Sequence, residues 1–419
     1  MHRILTGGIV VLAALFAAGC EKKTSTQTET PATGTTGQTG VQTTGTTGSA
    51  GTEGSAGTAG TAGAPATGDV ILLGEVGSLT GAQATFGIST RNGVELALNE
   101  ANAEGGVKGH KLAVRVYDDQ SKPEEAANAA TRLITQDHVK IIIGEVASTN
   151  SIAMAHKAQP AKVPMITPSS TNEGVTAIGD YIFRVCFIDP FQGFVMAKFS
   201  RDHLKSTRAA VLRDTRSDYS MGLSEVFTRK FTEMGGKIVA TEAYAQGDTD
   251  FRSQLTAIRS AKPEAIYVPG YYNDVGIIAR QARELGIKVP LLGGDGWESE
   301  KLWELGGSAV VGSYFSNHYS PEDPSPRVQN FIAAYKKAYG GVPDSLAALA
   351  YDAARVGIEA MRRAPSLETS AIRDAIAQTK DFPGVAGTIT LDEKRNAIKP
   401  AVVVQVGDTS SKYVATITP

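Results

Sequence analysis

The stretch VKIIIGEVASTNSIAMA, residues 139–155, passes from one periodicity into another. Val139, Ile141, Ile142 and Ile143 form a run that is apolar on both faces, the pattern of a strand buried inside a parallel sheet. Gly144 ends the run. Ser148, Thr149 and Asn150 then lead into the alanine-rich SIAMAHKAQ, which predicts a helix opened by a hydroxyl or amide N-cap. Such a junction sets free backbone N–H groups beside hydroxyls, an arrangement suited to an anion. Capping alone is the other reading of the same residues.

The same alternation extends in both directions. VILLGEV (70–76) and KLAVRVYD (111–118) read as strands. Each is followed by a helix, the first with Val94, Ala97, Leu98 and Ala101 on one face and the second with Ala126, Ala129, Ala130 and Leu133. VPMIT (163–167) is a further strand. After Asp189-Pro190 the rhythm restarts with RAAVLRD (208–214), KIVATEAY (237–244), AIYVPG (265–270) and PLLGG (290–294), separated by helical segments. Strands alternating with helices predict right-handed βαβ units and parallel sheets covered on both faces. Two such blocks predict two similar lobes. Helices at about 325–338 and 344–363 and a final AVVVQV (401–406) are expected to be shared between them.

The composition fits this class and removes others. The chain has 419 residues, 42% hydrophobic, with 41 Lys plus Arg against 43 Asp plus Glu. That length calls for two core-forming domains, and the balanced charge with no basic aromatic stretch excludes nucleic acid as an expected partner. The two cysteines, Cys20 and Cys186, lie too far apart in sequence for a disulfide framework or a cysteine metal site, and the six histidines are scattered. No metal and no cofactor is expected, and a monomer is.

The first twenty residues, MHRILTGGIVVLAALFAAGC, have a basic start, an apolar core and a small-residue ending, and read as a secretory signal. The ending Ala17-Ala18-Gly19-Cys20 resembles a bacterial lipobox, which implies cleavage before Cys20, its lipidation, and a periplasmic or cell-surface location on a bacterial membrane. Ala17 stands where leucine is usual; a soluble secreted protein with an unpaired cysteine is the alternative. Residues 21–68 are almost entirely Thr, Gly, Ser and Ala, with no aromatic residue. They read as a disordered tether, whose end-to-end distance would be roughly 35–40 Å by square-root scaling. Glycosylated or phase-separating low-complexity sequence is the other reading of this segment.

Gly-containing turns recur at the predicted strand ends: GEVGSLTG (74–81), GEVASTN (144–150), PGYYND (269–274) and GGDGWES (293–299). None fits a dinucleotide fingerprint or a phosphate loop. In open α/β sheets ligands bind outside the carboxyl ends of strands, so these turns mark the expected site. Ser148 and Thr149 supply hydroxyls at one of them, and Ser169, Ser170 and Thr171 in ITPSSTNEG (166–174) supply a second set; both suit a carboxylate. Asp295 in its Gly-rich turn suits an ammonium across the cleft, or is simply a turn former.

These segments, with GSLTGAQATFGISTRNGVELALNEANAEGGVKGHKLAVRVYDDQSKPEEA, YVPGYYNDVGIIARQARELG and LLGGDGW, resemble the branched-chain amino-acid-binding proteins, the substrate-binding component of an ABC importer. The resemblance spans residues 69–419. It implies a two-lobed type I periplasmic-binding-protein fold with three crossings, one lobe from 69–188 plus 319–398 and the other from 189–318 plus 399–419. It also implies capture of an apolar amino acid by lobe closure and delivery to a membrane permease. By position, Ser148 and Thr171 match residues that hold the ligand carboxylate, and Ser169 one whose backbone contributes. Phe86, Tyr219 and Tyr271 match aromatic positions lining the site, and Asp295 the acid that receives the ammonium. Leu346 departs from the aromatic of many members, and Asp119, Gln120 and Ala147 supply no cysteine for the disulfide found in some.

An enzyme is the rival class. Asp118 and Asp119 are a candidate carboxylate pair for acid/base work, but neighbours on a strand point to opposite faces, and no nucleophile with its base is recognisable. No catalysis is expected. A sensory module of the same fold, reporting amino acids or amides to a regulatory partner, is the second alternative.

Overall fold

The computed structural model describes residues 70–419. The expected signal peptide, Cys20 and the tether 21–68 lie outside the described residues. The chain opens with β1 (Val70–Gly77), α1 (Ala84–Ala103), β2 (Lys111–Asp118), α2 (Pro123–Thr135), β3 (Ile142–Ile143) and α3 (Ser148–Ala161). β4 (Met165–Thr167), α4 (Gly174–Ala177) and β5 (Ile182–Arg184) complete a five-stranded sheet in the order β2-β1-β3-β4-β5, every pair parallel.

The opening stretch behaves as a doubly covered strand. Ile141 and Ile143 belong to one buried cluster with Ala353, Ala354 and Ile358, while Val139 and Ile142 belong to another with Leu133, Met154 and Ala155. Alternate residues therefore fill opposite faces. The regular ladder is shorter than the apolar run: only Ile142 and Ile143 pair on both sides, although Lys140 N–H still donates to Leu72 O at 2.9 Å and Ile141 O accepts from Gly74 N at 2.9 Å. β4 on the other side begins only at Met165, which limits the run.

A second alternating block follows: α5 (Asp189–Asp202), β6 (Arg208–Asp214), α6 (Asp218–Glu233), β7 (Lys237–Tyr244), α7 (Arg252–Ser260), β8 (Ala265–Tyr267), α8 (Tyr272–Glu284), β9 (Leu291–Gly293), α9 (Lys301–Gly306) and β10 (Tyr314–Asn317). The chain then returns to the first sheet with α10 (Pro326–Tyr339), α11 (Ser345–Arg363), α12 (Thr369–Ala377) and the hairpin β11 (Phe382–Gly384) and β12 (Gly387–Ile389). Helix α11 lies against α1 so closely that a Cβ on Gly93 would sit 2.3 Å from Ala347 O. Only glycine allows that approach.

The last strands, β13 (Ala401–Val406) and β14 (Ser411–Ile417), complete the second sheet in the order β14-β13-β10-β9-β8-β6-β7. β13 runs antiparallel to β10, and β14 antiparallel to β13. The second sheet is thus parallel through β6 to β10 and antiparallel at one edge, where simple alternation predicts a parallel sheet. A strand arriving from the other body has no crossover helix beside it, and a hairpin can close the edge antiparallel.

Candidate functional site

The carboxyl ends of the strands in the two sheets face one another, and named contacts join them. Thr85 Oγ1 lies 3.0 Å from Ser299 Oγ, Thr149 Oγ1 accepts from Asp218 N at 3.1 Å, and Asn172 Nδ2 donates to Asp218 O at 2.8 Å. Thr149 is therefore a contact between the bodies and does not line the central gap.

That gap, of about 10 Å³, is lined by Phe86, Val146, Ser169, Tyr219, Tyr271, Asp295, Gly296 and Leu346. Its walls are aromatic. Tyr219 and Tyr271 stack with centroids 5.1 Å apart and 10° between planes, and Phe86 meets Tyr271 edge-on at 5.7 Å and 77°. Phe86 comes from α1 of the first body; the tyrosines come from the second.

Asp295 is 4% exposed and sits at the end of β9. Oδ1 accepts from Gln192 Nε2 at 2.7 Å and from Tyr219 OH at 2.9 Å, and Oδ2 lies 2.7 Å from His318 Nε2. Three donors converge on one carboxylate, which has about four acceptor positions. The Gly-rich turn serves this cluster: a Cβ on Gly294 would lie 2.3 Å from Tyr219 OH and 2.8 Å from Gln192 Nε2. What comes close to the backbone there is the protein's own Tyr219 and Gln192, and Asp295 is more than a turn former.

The α3 junction departs from expectation. Its N-cap is Ala147, which has no side chain to cap with, and Ser148 is already the first helical residue. Glu145 takes over the polar work. Its Oε2 accepts from Ala147 N at 2.5 Å, and its Oε1 accepts from Ser78 N and Ser78 Oγ, both at 3.2 Å. Burial, then the nearby Asp119, holds the Glu145 carboxyl well above the usual range. Ser148 Oγ accepts from Asn172 N at 3.3 Å, and the Ser148 backbone N–H lies beside the Tyr271 hydroxyl.

The second hydroxyl set divides. Ser170 Oγ donates to Val146 O at 2.8 Å and sits 2.7 Å from Ser151 Oγ, so it braces the junction from behind. Ser169 faces the gap, and its buried hydroxyl makes no protein hydrogen bond. Thr171 is buried beside Asp189, whose N–H its carbonyl accepts at 2.9 Å. Burial pushes the Asp189 carboxyl up to about 8. Asp118 and Asp119 cap turns: Asp118 Oδ1 accepts from Leu79, Thr80 and Gln120 N–H, and Asp119 from Ser78 Oγ, Ser121 N and Asn150 Nδ2.

Sequence reasoning passes over Gln192, His318, Asp189 and Glu145. Glu145 has a local signal, because Gly-Glu-Val occurs at 74–76 and again at 144–146, and both glutamates are buried at adjacent strand ends. Gln192 and His318 have none, since each meets Asp295 from a distant part of the chain.

The periplasmic binding protein family model matches residues 70–411. The chain belongs to that family. A Leu/Ile/Val-binding protein homolog of Brucella melitensis is 30% identical over 334 residues, 79% of this chain and 89% of that protein. The leucine-binding protein LivK of Thermotoga maritima superposes with a TM-score of 0.81 at 41% identity, covering 83% of this chain and 99% of that one. The branched-chain amino-acid transporter substrate-binding protein LivJ of Streptococcus pneumoniae, solved with isoleucine, gives a TM-score of 0.79 at 34% identity over 84% and 100%. As a periplasmic binding protein, the chain has the family's parallel sheets flanked by helices, and its inter-sheet gap is where the strand ends converge.

Proposed function

We propose that this chain is the extracytoplasmic substrate-binding protein of an ABC importer and that it captures leucine, isoleucine or valine between its lobes for a membrane permease. One observation carries the reading: the Asp295 carboxylate and the unpartnered Ser169 hydroxyl open onto one gap whose remaining walls are Phe86, Val146, Tyr219, Tyr271, Gly296 and Leu346. A carboxylate suits an ammonium, a hydroxyl suits a carboxylate, and the aromatic and aliphatic walls suit an apolar side chain. Burying both charges of a zwitterion is tolerable only when each is hydrogen-bonded, which selects against simple amines and acids.

In this reading Ser148 and Thr171 stand near the ligand carboxylate and Tyr219 supports Asp295. One lobe is 69–188 with 319–398 and the other 189–318 with 399–419, which accords with the strand membership of the two sheets. Cys20 carries the lipid anchor, residues 21–68 are the tether, and the protein acts as a monomer. Calorimetry tests the assignment: the three branched-chain amino acids bind at micromolar affinity or tighter, about 8 kcal/mol or more. Tight binding of a sugar, an amide or a dicarboxylate with none of an apolar amino acid overturns it.

A further inference from the structure

A second cavity, of about 480 Å³, also lies between the two bodies and shares no lining residue with the gap at Asp295. Its volume falls in the range of small-molecule sites, roughly 300–1,000 Å³. Tyr335 and Tyr339 of α10 and Asp344 at the start of α11 face it from the first body; Glu298, in the turn before α9, and Trp303 of α9 face it from the second. The carboxylates sit close together. Asp344 Oδ2 accepts from Ser89 Oγ at 2.5 Å and Oδ1 from Ala347 N at 2.8 Å, while Glu298 accepts from the Ser345 hydroxyl.

Four features point to what such a cavity takes. Glu300 is a third acid in the lining and no lysine or arginine is there, so the carboxylates have no counter-charge among the lining residues. Burial, with Asp344 alongside, pushes the Glu298 carboxyl up to about 8, the direction that a bound cation would reverse. The rings of Tyr335 and Tyr339 lie 4.8 Å apart as an aromatic wall. At the rim, Ile88 and Val342 are 41% and 56% exposed, two of the four large apolar side chains that stand out to solvent among the described residues. An apolar mouth over an acidic, aromatic interior suits an organic cation. Among the described residues no group of acidic, histidine or cysteine side chains is arranged to hold a metal ion.

We propose that this cavity is a second binding site, for a small organic ammonium ion with an apolar body. The ammonium group meets Glu298 and Asp344, and the apolar part lies on Tyr335, Tyr339 and Trp303. Because the walls come from both bodies, an occupant binds best when these are together and so favours the arrangement that also encloses the gap at Asp295. That coupling rests on the amino-acid reading above; the site itself does not.

The experiment titrates benzylamine into the full chain by calorimetry, with and without saturating leucine, and uses benzyl alcohol and benzoate as the uncharged and oppositely charged controls. Benzylamine is expected to bind the leucine-loaded protein at millimolar affinity or tighter, with both controls at least about tenfold weaker. Glu298→Gln and, separately, Tyr335→Leu are each expected to weaken benzylamine by about tenfold or more, with folding followed by circular dichroism so that one variant decides if the other does not fold. Leucine and benzylamine should raise each other's affinity by one common factor. No binding of benzylamine, displacement of benzylamine by leucine, controls that bind equally well, or indifference to both variants each overturns the site. Failure to bind leucine while benzylamine still binds and responds to the variants counts against the amino-acid reading alone.

Discussion

His318 Nε2 lies 2.7 Å from Asp295 Oδ2 while the imidazole face stacks on Phe187 at 3.9 Å. Phe187 stands where the chain leaves the first sheet, and His318 where it leaves the second. The two passages therefore meet at the imidazole that contacts the Asp295 carboxylate. Burial lowers the His318 pKa, so the ring is neutral near pH 7, and its Nε2–H is the donor to a carboxylate that offers only acceptors.

On the proposed role of Asp295 as ammonium acceptor, removing that donor should weaken ligand binding without abolishing it. His318→Ala is expected to reduce leucine affinity by about tenfold, the value of one hydrogen bond to a charged group, while His318→Gln, which can still donate, loses less. Calorimetry on both variants checks this, and equal losses would mean that ring stacking on Phe187 matters more than the hydrogen bond.

Asp295→Asn keeps the shape of the side chain and removes its charge. Breaking a buried charge pair costs about 3 to 5 kcal/mol, two to three decades in affinity, whereas an Asp that merely forms a turn would cost far less. The expected result is a large loss of leucine binding with the melting temperature of the ligand-free protein near that of the parent. An affinity drop below about threefold would put the ammonium elsewhere.

Leu346 is 2% exposed and lines the gap with Phe86 and Val146. Leu346→Ala should enlarge the apolar end, lower stability by about 2 to 5 kcal/mol, and shift preference from leucine toward phenylalanine. Competition between the two amino acids on parent and variant gives the ratio directly; an unchanged ratio would show that the ligand side chain lies elsewhere.

Asp189 is buried with a carboxyl raised to about 8 against an ordinary 3.8. Between those values the folded state holds a proton that the unfolded chain has released, so stability falls as pH rises from about 4 to about 8, by at most about 1.4 kcal/mol per pH unit from this group. The penalty is complete above the folded value and absent below the unfolded one. Asp189→Asn should flatten that slope in denaturant titrations on the ligand-free protein at several pH values.

A chain that begins at Asp69 should fold and bind leucine as the full chain does, because residues 21–68 contain nothing from which to build a core. Cys20→Ser should release the full chain from membranes while leaving its affinity unchanged. Lost binding in the shortened chain would assign those residues a role in the site.

The sequence by itself determined the alternation of strands and helices, because apolar periodicity records which faces are covered. β2, β6, β7 and β13 occupy the segments 111–118, 208–214, 237–244 and 401–406 that their patterns mark, and Ile141, Ile142 and Ile143 alternate across the sheet as a doubly buried strand must. It also singled out Asp295, through a glycine-rich turn at a strand end. Periodicity says that a face is covered but not by what. That β13 pairs antiparallel with β10, that α11 lies on α1, and that Ser170 turns behind the α3 junction while Ser169 faces the gap were decided by tertiary packing. The partners of Asp295 were settled the same way: Gln192 and Tyr219 reach it from 103 and 76 residues away and His318 from 23, and no local pattern links residues that meet only when two sheets close on one another.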